Sequence, residues 1–493
     1  MIATKFLAFL NKQYGWNIAT DYYADIDTWR EWWQGFVPAF HEYNETSLTG
    51  LKVKRRIYQM GMAKTICEDW AALLLNEKTM ISVKDKASKK WLCGNDDETG
   101  GVLGELNFWD NANHLAELMM RSGTGAFLMS VDAVTEDGEV IPSPDARIYM
   151  DYLPAENIIP ITVNHGNVTE CAFMSEKVHQ GKSCIYLQVH QLTQENGFPE
   201  YRITNRYYVG ENEDTEAANY REVALPQGMS RVFYTGSDIP WFSLIRPNIV
   251  KNRRYGVGLG IAVYANALDQ LMHVDTAFNN YQKDIHLGAK KVFYSKRLVQ
   301  RVYGTDDQWH TIAPDDVMQQ LFWQDDTADP DKEAKVTDYN PSLRAEENSK
   351  CVQDALNYLS FKCGLGIHRY NFNGGTVTTA TEYTGSRQDL VQHANKHQIS
   401  IEHGLIAIVR ALLYAGRTFT GAQVDPETEI TVVWDNTYIS DAESARAKEK
   451  EDCLDGFLPK WKYLTDFYGM SEKEAREYVS EAEGSGEQIS FEE

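Results

Sequence analysis

The stretch LGIAVYANALDQLMHVDTAFNNYQKDIHLGAKK, Leu259 to Lys291, contains no proline and sets Tyr264, Leu268, Leu271, Phe278 and Ile285 at intervals of three, four and seven. That period predicts one amphipathic helix of about 25 to 30 residues, on the order of 40 Å long. Such a helix is long for a globular domain. Beyond Lys291 the chain becomes short-stranded and acidic (WHTIAP, QLFWQDDTADPDKEAK), an insertion closed by YNPSL. A second helix is expected from about 343 to 362, with Val352, Ala355, Leu356 and Leu359 inward. Next comes FNGGTVTTATEYTGSRQDLVQHANKH, Phe372 to His397, where a loop of Gly, Asn and Thr passes into a third helix reaching about Ala415. Its stripe is Leu390, Ala394, Ile401, Leu405, Ile408 and Leu412.

Upstream, LKVKRRIYQMGMAKTICEDWAALLLNEK puts Ile57, Met60, Cys67, Trp70 and Leu74 on one face and predicts a helix, followed by a strand at EKTMISV. Another helix is expected over 103–121, then a Gly-marked turn into the strand of SGTGAFLMSVD. From Arg147 to Val209 the segments RIYMDYL, NIIPITV, CAFMSEK, CIYLQVHQL and EYRITNRYYV alternate with NHGN, QGKS and ENGFP, a strand-and-turn pattern. The acidic tail from about residue 440 reads as short helices, with disorder expected over EGSGEQISFEE.

At 493 residues the chain exceeds one compact core, and 43% hydrophobic with 24% charged residues is the profile of a folded protein. A net charge of -23 argues against a sequence-reading nucleic-acid binder, which needs a basic face, but suits a wall past which DNA slides. Seven scattered cysteines without a CxxC pair point to neither a disulfide framework nor zinc, and fit a reducing, intracellular site of synthesis. FLAFL, Phe6 to Leu10, is too short for a signal sequence, and no run approaches the length of a membrane span.

Three chemical readings compete for the loop and third helix. A phosphate cradle would need GxxxxGK[ST] or GxGxxG, and neither NGGTVTTATE nor YGVGLGI has that spacing. A zinc hydrolase would use His393, His397 and His403, which stand at HxxxHxxxxxH, yet Ala394 replaces the general base and Ser400 the helix-ending glycine. No G-x-S-x-G elbow exposes a serine nucleophile, and no cofactor is indicated. The third reading is a moving loop that touches a polymer without reacting with it. Lys283, Lys290, Lys291, Lys296, Arg297 and Arg301 gather at the end of the first helix and just beyond it, as phosphate contacts or as ordinary solvated cations.

MAKTICEDWAALLLNEK, SGTGAF, PWFSLIRPNIVKN, GIAVYANALDQL, YNPSLR, ALNYLSFKCGLG and TTATE followed by KH resemble, in sequence and order, stretches of the portal proteins of tailed bacteriophages of Gram-positive hosts. The resemblance covers about residues 50 to 415. It implies an α+β portal fold: a wing from 1–257 and 384–439, stem helices at 258–288 and 342–362, a clip at 289–341, a tunnel loop at 363–383 and a crown at 440–493. It implies a non-enzymatic ring, usually dodecameric, at one capsid vertex of the virion, made in the host cytoplasm, conducting double-stranded DNA in packaging and ejection. Its partners would be the terminase large subunit, a head-tail adaptor, scaffold and major capsid protein. Tyr370, Asn371, Asn373, Gly374, Gly375, Thr376 and Thr378 would then face the DNA, with Lys283, Lys290, Lys291 and Arg297 as phosphate contacts. The alternatives are the zinc hydrolase and a structural head protein without a channel.

Overall fold

The computed structural model describes all residues except 1, 47–49, 77, 95–99, 137–138, 180, 211–219, 253–255, 257, 296–299, 304, 306, 313–320, 325–334, 373–379, 435–449, 451–452, 454–457, 469 and 486–493. Helices and sheets are mixed along the chain. The chain opens with α1 (Ile2–Tyr14), α2 (Thr20–Gln34) and the single turn α3 (Pro38–His41). The helix expected within LKVKRRIYQMGMAKTICEDWAALLLNEK is confined to α4 (Met62–Leu74), with Cys67, Trp70 and Leu74 buried. Ahead of it, β1 (Glu42–Thr46) and β2 (Lys52–Arg56) form an antiparallel hairpin. The reason is local: Lys54 and Arg55 pair with Glu42 at 2.6 Å and Glu45 at 2.9 Å across the ladder. Gly61, at φ 71°, then sits in a left-handed conformation before the helix begins.

After β3 (Met80–Val83), Asp85 caps α5 (Lys86–Cys93) by accepting the Ser88 N–H at 2.8 Å. The single helix expected over 103–121 is two, α6 (Gly101–Glu105) and α7 (Phe108–Ser122), parted where Asn107 takes φ 46°. Asparagine tolerates that conformation better than most side chains.

β4 (Gly125–Asp132) leads past the small hairpin of β5 (Thr135–Glu136) and β6 (Glu139–Val140) to β7 (Arg147–Pro154), its antiparallel partner. A meander follows: β8 (Ile158–Asn164), β9 (Asn167–His179), β10 (Lys182–Thr193), β11 (Glu200–Gly210) and β12 (Tyr220–Val223), with β13 (Val232–Tyr234) also on β11. These are the β-branched and aromatic segments that the sequence sets between turns. β14 (Phe242–Ile245) completes the β14-β4-β7 sheet.

The first long helix, α8 (Leu268–Leu287), has 20 residues, shorter than the sequence period implies. Residues 259–267 form buried turns instead. Their backbone groups have partners elsewhere: Gly260 N–H donates to Thr124 Oγ1 at 3.0 Å and Val263 N–H to the Met120 carbonyl at 2.9 Å. The Tyr264 hydroxyl, fully buried, donates to the Trp29 carbonyl at 2.9 Å. With donors already engaged, nothing favours an added helical turn.

The insertion holds β15 (Lys291–Ser295), β16 (Gln300–Tyr303), β17 (Trp309–Ile312), β18 (Leu321–Gln324) and β19 (Val336–Tyr339); β15 lies between parallel β18 and antiparallel β19. α9 (Ala345–Lys362) returns against α8 with Val352, Ala355, Leu356 and Leu359 buried. α10 (Ala380–Ala415) is 36 residues long and its expected stripe is buried throughout. Asp389–Thr420 is apolar enough by length and composition to cross a bilayer, contrary to the expectation that no segment is. Ile401, Leu405, Ile408 and Leu412, at 0% exposure, show where that apolarity goes: into the protein core. β20 (Ile430–Val433) then pairs with β3, joining the C-terminal part to the N-terminal body. Short helices at Lys460–Tyr468 and Glu472–Ser485 follow. None of the seven cysteines is in a disulfide, and Cys351 is the exposed one.

Candidate nucleic-acid interface

The loop between α9 and α10 has a well-defined root. Gln353, on the inner half of α9, donates to the Tyr370 carbonyl at 2.7 Å and accepts the Phe372 N–H at 2.7 Å. One amide thus satisfies both backbone groups where the chain leaves the body. Asp69 of α4 holds the adjacent residues: it accepts the Tyr370 hydroxyl at 2.7 Å and pairs with Arg369 at 3.1 Å. Burial first, and then the neighbouring Asp69, push the Tyr370 phenol well above its usual range. Tyr370 is therefore an anchoring residue at the loop root. Asn371 is exposed beside it. Asn373, Gly374, Gly375, Thr376 and Thr378 lie outside the described residues.

The cations at the far end of α8 are placed in different ways. Lys283 reaches the Tyr43 hydroxyl at 2.8 Å and lies 5.2 Å from the centre of that ring. Lys290 pairs with Asp338 of β19 at 3.0 Å, while Lys291 donates to the Leu287 carbonyl at 3.0 Å. Arg297 lies outside the described residues. Lys283 and Lys290 are exposed and Lys291 is partly so. These contacts are of the surface kind that competes weakly with another anion.

Between those lysines stands a junction that the sequence alone did not disclose. Asp284 accepts from Arg344 at 2.5 Å and from Asn348 at 3.0 Å, closing the base of the insertion. Hydrogen bonds from Arg344 draw the Asp284 carboxyl below its usual range. Gly288 is part of the same closure, since a β-carbon there would stand 2.4 Å from Leu343 Cδ2. Nearer its start, α8 is tied to the N-terminal body by buried polar groups. Asp275 accepts the Met60 N–H at 2.7 Å and meets His41 Nε2 at 3.2 Å. His41 Nδ1 accepts the Val37 N–H at 2.8 Å, so the proton belongs on Nε2 and is donated to Asp275. Burial raises the Asp275 carboxyl, and these two donors partly offset it.

The histidines of α10 do not converge. The helix runs unbroken through Ser400, and His397 is buried, with Nδ1 accepting the Asn248 N–H at 2.9 Å and its ring edge-on to Trp70 at 4.8 Å. Burial pushes its imidazole down to about 3, with the charges of His393 and Lys396 adding to the effect. His393 and His403 are exposed. Among the described residues, no group of three His, Cys, Asp or Glu side chains is placed to hold a metal ion. The glycines of GVGLGI also have a steric role: a β-carbon on Gly260 would lie 2.2 Å from the Gly123 carbonyl oxygen. Gly123 belongs to the SGTG turn, so the two glycine motifs are two sides of one backbone crossing.

The site therefore comprises a loop rooted on Asp69 and Gln353, an exposed cationic helix end and an insertion closed by Asp284. Asp69, Asp284 and Arg344 escaped the sequence reading because their partners lie 60 to 301 positions away, and Gln353 because its partners, 17 and 19 positions on, are backbone groups of an irregular loop. A search of curated proteins finds no match. The profile of the family described as phage portal protein, SPP1 Gp6-like, matches residues 13–483, spanning both long helices, the insertion and the rooted loop. On that match, together with the mixed α and β architecture that carries it, the chain belongs to the SPP1 Gp6-like family of phage portal proteins, structural components of the virion capsid.

Proposed function

We propose that identical copies of this chain close into a ring at a capsid vertex, and that double-stranded DNA enters and leaves through its bore. The observation that carries the reading is the apolar surface of the α8 and α9 pair. Ile285, Leu287, Leu343, Tyr358 and Phe361 are each at least 44% exposed on a single copy. Large apolar side chains left exposed along α8, α9 and the residues leading into α9 favour a heterologous contact with the next copy, and such contacts close into rings.

In this reading 1–257 and 384–439 form the wing, the segments carrying α8 and α9 the stem, 289–341 the clip and 440–493 the crown. The clip docks the terminase large subunit, which hydrolyses ATP, and later the head-tail adaptor; scaffold and major capsid protein surround the wing. The tunnel loop at 363–383 touches the duplex through the uncharged Asn371, Asn373, Gly374, Gly375, Thr376 and Thr378. Every neutralised phosphate adds counterion release, and repetition around a ring multiplies it, so strong cationic contacts would arrest the DNA. The net charge of -23 keeps that grip weak.

Negative-stain images of the purified protein test the ring: end-on views with a central hole are expected, and a stable compact monomer under assembly conditions would refute it. Shortening 371–376 is expected to impair DNA packaging while rings persist. Replacing Lys290 and Lys291 together by Glu is expected to weaken DNA retention or motor docking; normal behaviour in both assays would remove them from the mechanism.

A further inference from the structure

A concave groove of about 400 Å³ lies where the end of α1 faces the meander, on elements other than α8 and α9. Strand alternation builds its floor: Arg202, Thr204 and Arg206 occupy successive same-face positions of β11. Arg231, immediately before β13, lines it too. Tyr14 and Trp16 form the wall, stacked at 5.0 Å between ring centres.

The charges do not balance. Arg202 pairs with Glu195 at 2.6 Å, whereas Arg206 and Arg231 share Glu222, at 3.4 and 2.8 Å. Among the described residues, three guanidiniums thus face two carboxylates, in a chain whose overall balance is strongly negative. Arg202 Nε has no hydrogen-bond partner among the described residues and is itself closed off from solvent, while the rest of the side chain is 31% exposed, so a ligand satisfies that donor when the guanidinium turns. The Arg231 side chain remains 62% exposed and able to turn toward an incoming anion. Arg206 is the fixed member, donating to the Tyr14 hydroxyl at 2.8 Å and lying 5.1 Å from that ring.

We propose that this groove docks an acidic peptide segment of a partner protein, its carboxylates taken by Arg202 and Arg231 and an adjoining aromatic side chain laid against Trp16. A cavity of this size admits a few side chains. The convex flank of a duplex would meet the exposed Arg231 but not the groove floor that carries Arg202 and Arg206. The aromatic wall beside planar guanidiniums is the combination that recognises carboxylate and ring together. This inference stands whether or not the chain forms a ring.

Titration of the full chain with fluorescein-labelled Gly-Glu-Phe-Glu-Glu-Phe-Gly, followed by anisotropy at low salt, tests it. Saturable binding is expected, weakened at least about tenfold in Arg202→Gln/Arg231→Gln and by a similar factor for the peptide with Gln in place of each Glu. Arg231→Gln alone changes an exposed residue, keeps the fold safe, and is expected to weaken binding about threefold or more. Absence of binding, equal binding of the Gln peptide, or an unaffected double variant would overturn the proposal. So would displacement of the peptide by an equimolar 20-base-pair duplex, which would assign the groove to nucleic acid.

Discussion

Two kinds of residue in this protein are defined by what their neighbours leave them. Gly260 and Gly123 cross backbone to backbone, so Gly260→Ala is expected to destabilise the fold by about 2–4 kcal/mol in denaturant unfolding. Gly104, in α6 with nothing within 4 Å of an added β-carbon, is the matched control. Gly104→Ala should leave stability unchanged or raise it by up to about 1 kcal/mol. The other kind is the buried histidine. His190 lies edge-on to Phe173 and Phe242 with neither ring nitrogen hydrogen-bonded, and burial pushes it down to about 3, as it does His397. Unfolded, each returns to about 6.5. The unfolded chain then binds more protons between about pH 6.5 and 3, so stability falls as pH drops through that window, by about 1.4 kcal/mol per pH unit for each histidine. His190→Leu is expected to flatten that slope and to add about 1 kcal/mol at pH 7, measured by unfolding at a series of pH values. An unchanged slope would mean that His190 is protonated, or solvated, in the folded protein.

At the scale of elements, the decisive feature is how the loop between α9 and α10 is fastened. Gln353 satisfies the Tyr370 carbonyl and the Phe372 N–H at once, so Gln353→Leu leaves two backbone groups without partners at an estimated cost of about 1–3 kcal/mol. The loss should be local, seen as faster proteolysis just after Phe372 with only a modest shift in global unfolding. Equal cleavage rates would show that Asp69 and Arg369 hold the root unaided. Elements also show where sequence reading works. α9 and α10 were legible because each buries one continuous face, whose period survives in the sequence, and the meander because β-branched and aromatic segments alternate with turn residues, although β9 and β10 each bury four consecutive residues. α8 was legible only in part. Its apolar spacing continues into residues 259–267, but there Tyr264 and Ile261 are buried as turns whose backbone donors are taken by Thr124 and Met120. The same reading extended α4 backward over a stretch that pairs instead with β1, since periodicity cannot see a partner strand.

For the whole molecule, a ring requires a surface that is stable when exposed on one copy yet covered in the assembly. Ile285, Leu287 and Phe361 meet the first condition as the structure stands. Ile285→Glu with Leu287→Glu is therefore expected to change the unfolding midpoint of a single copy little, because exposed positions tolerate charge. It should shift sedimentation from rings to monomers. Rings of undiminished stability would place the contact elsewhere on the chain.

The order of the long helices, the acidic insertion between them, the strand-rich middle and the sequence strings that point to a phage portal are all written locally, in residues whose neighbours along the chain suffice to interpret them. What the tertiary structure alone decided is where those elements begin and what fastens them. The start of α8, the glycine crossing, the hold of Asp69 on the loop root and the Asp284 closure each depend on groups far apart in sequence, while the hairpin before α4 and the Gln353 contacts depend on nearby partners that helical periodicity does not register. A hydrogen-bond donor or a void acquires meaning only when the other side of the contact has been brought to it.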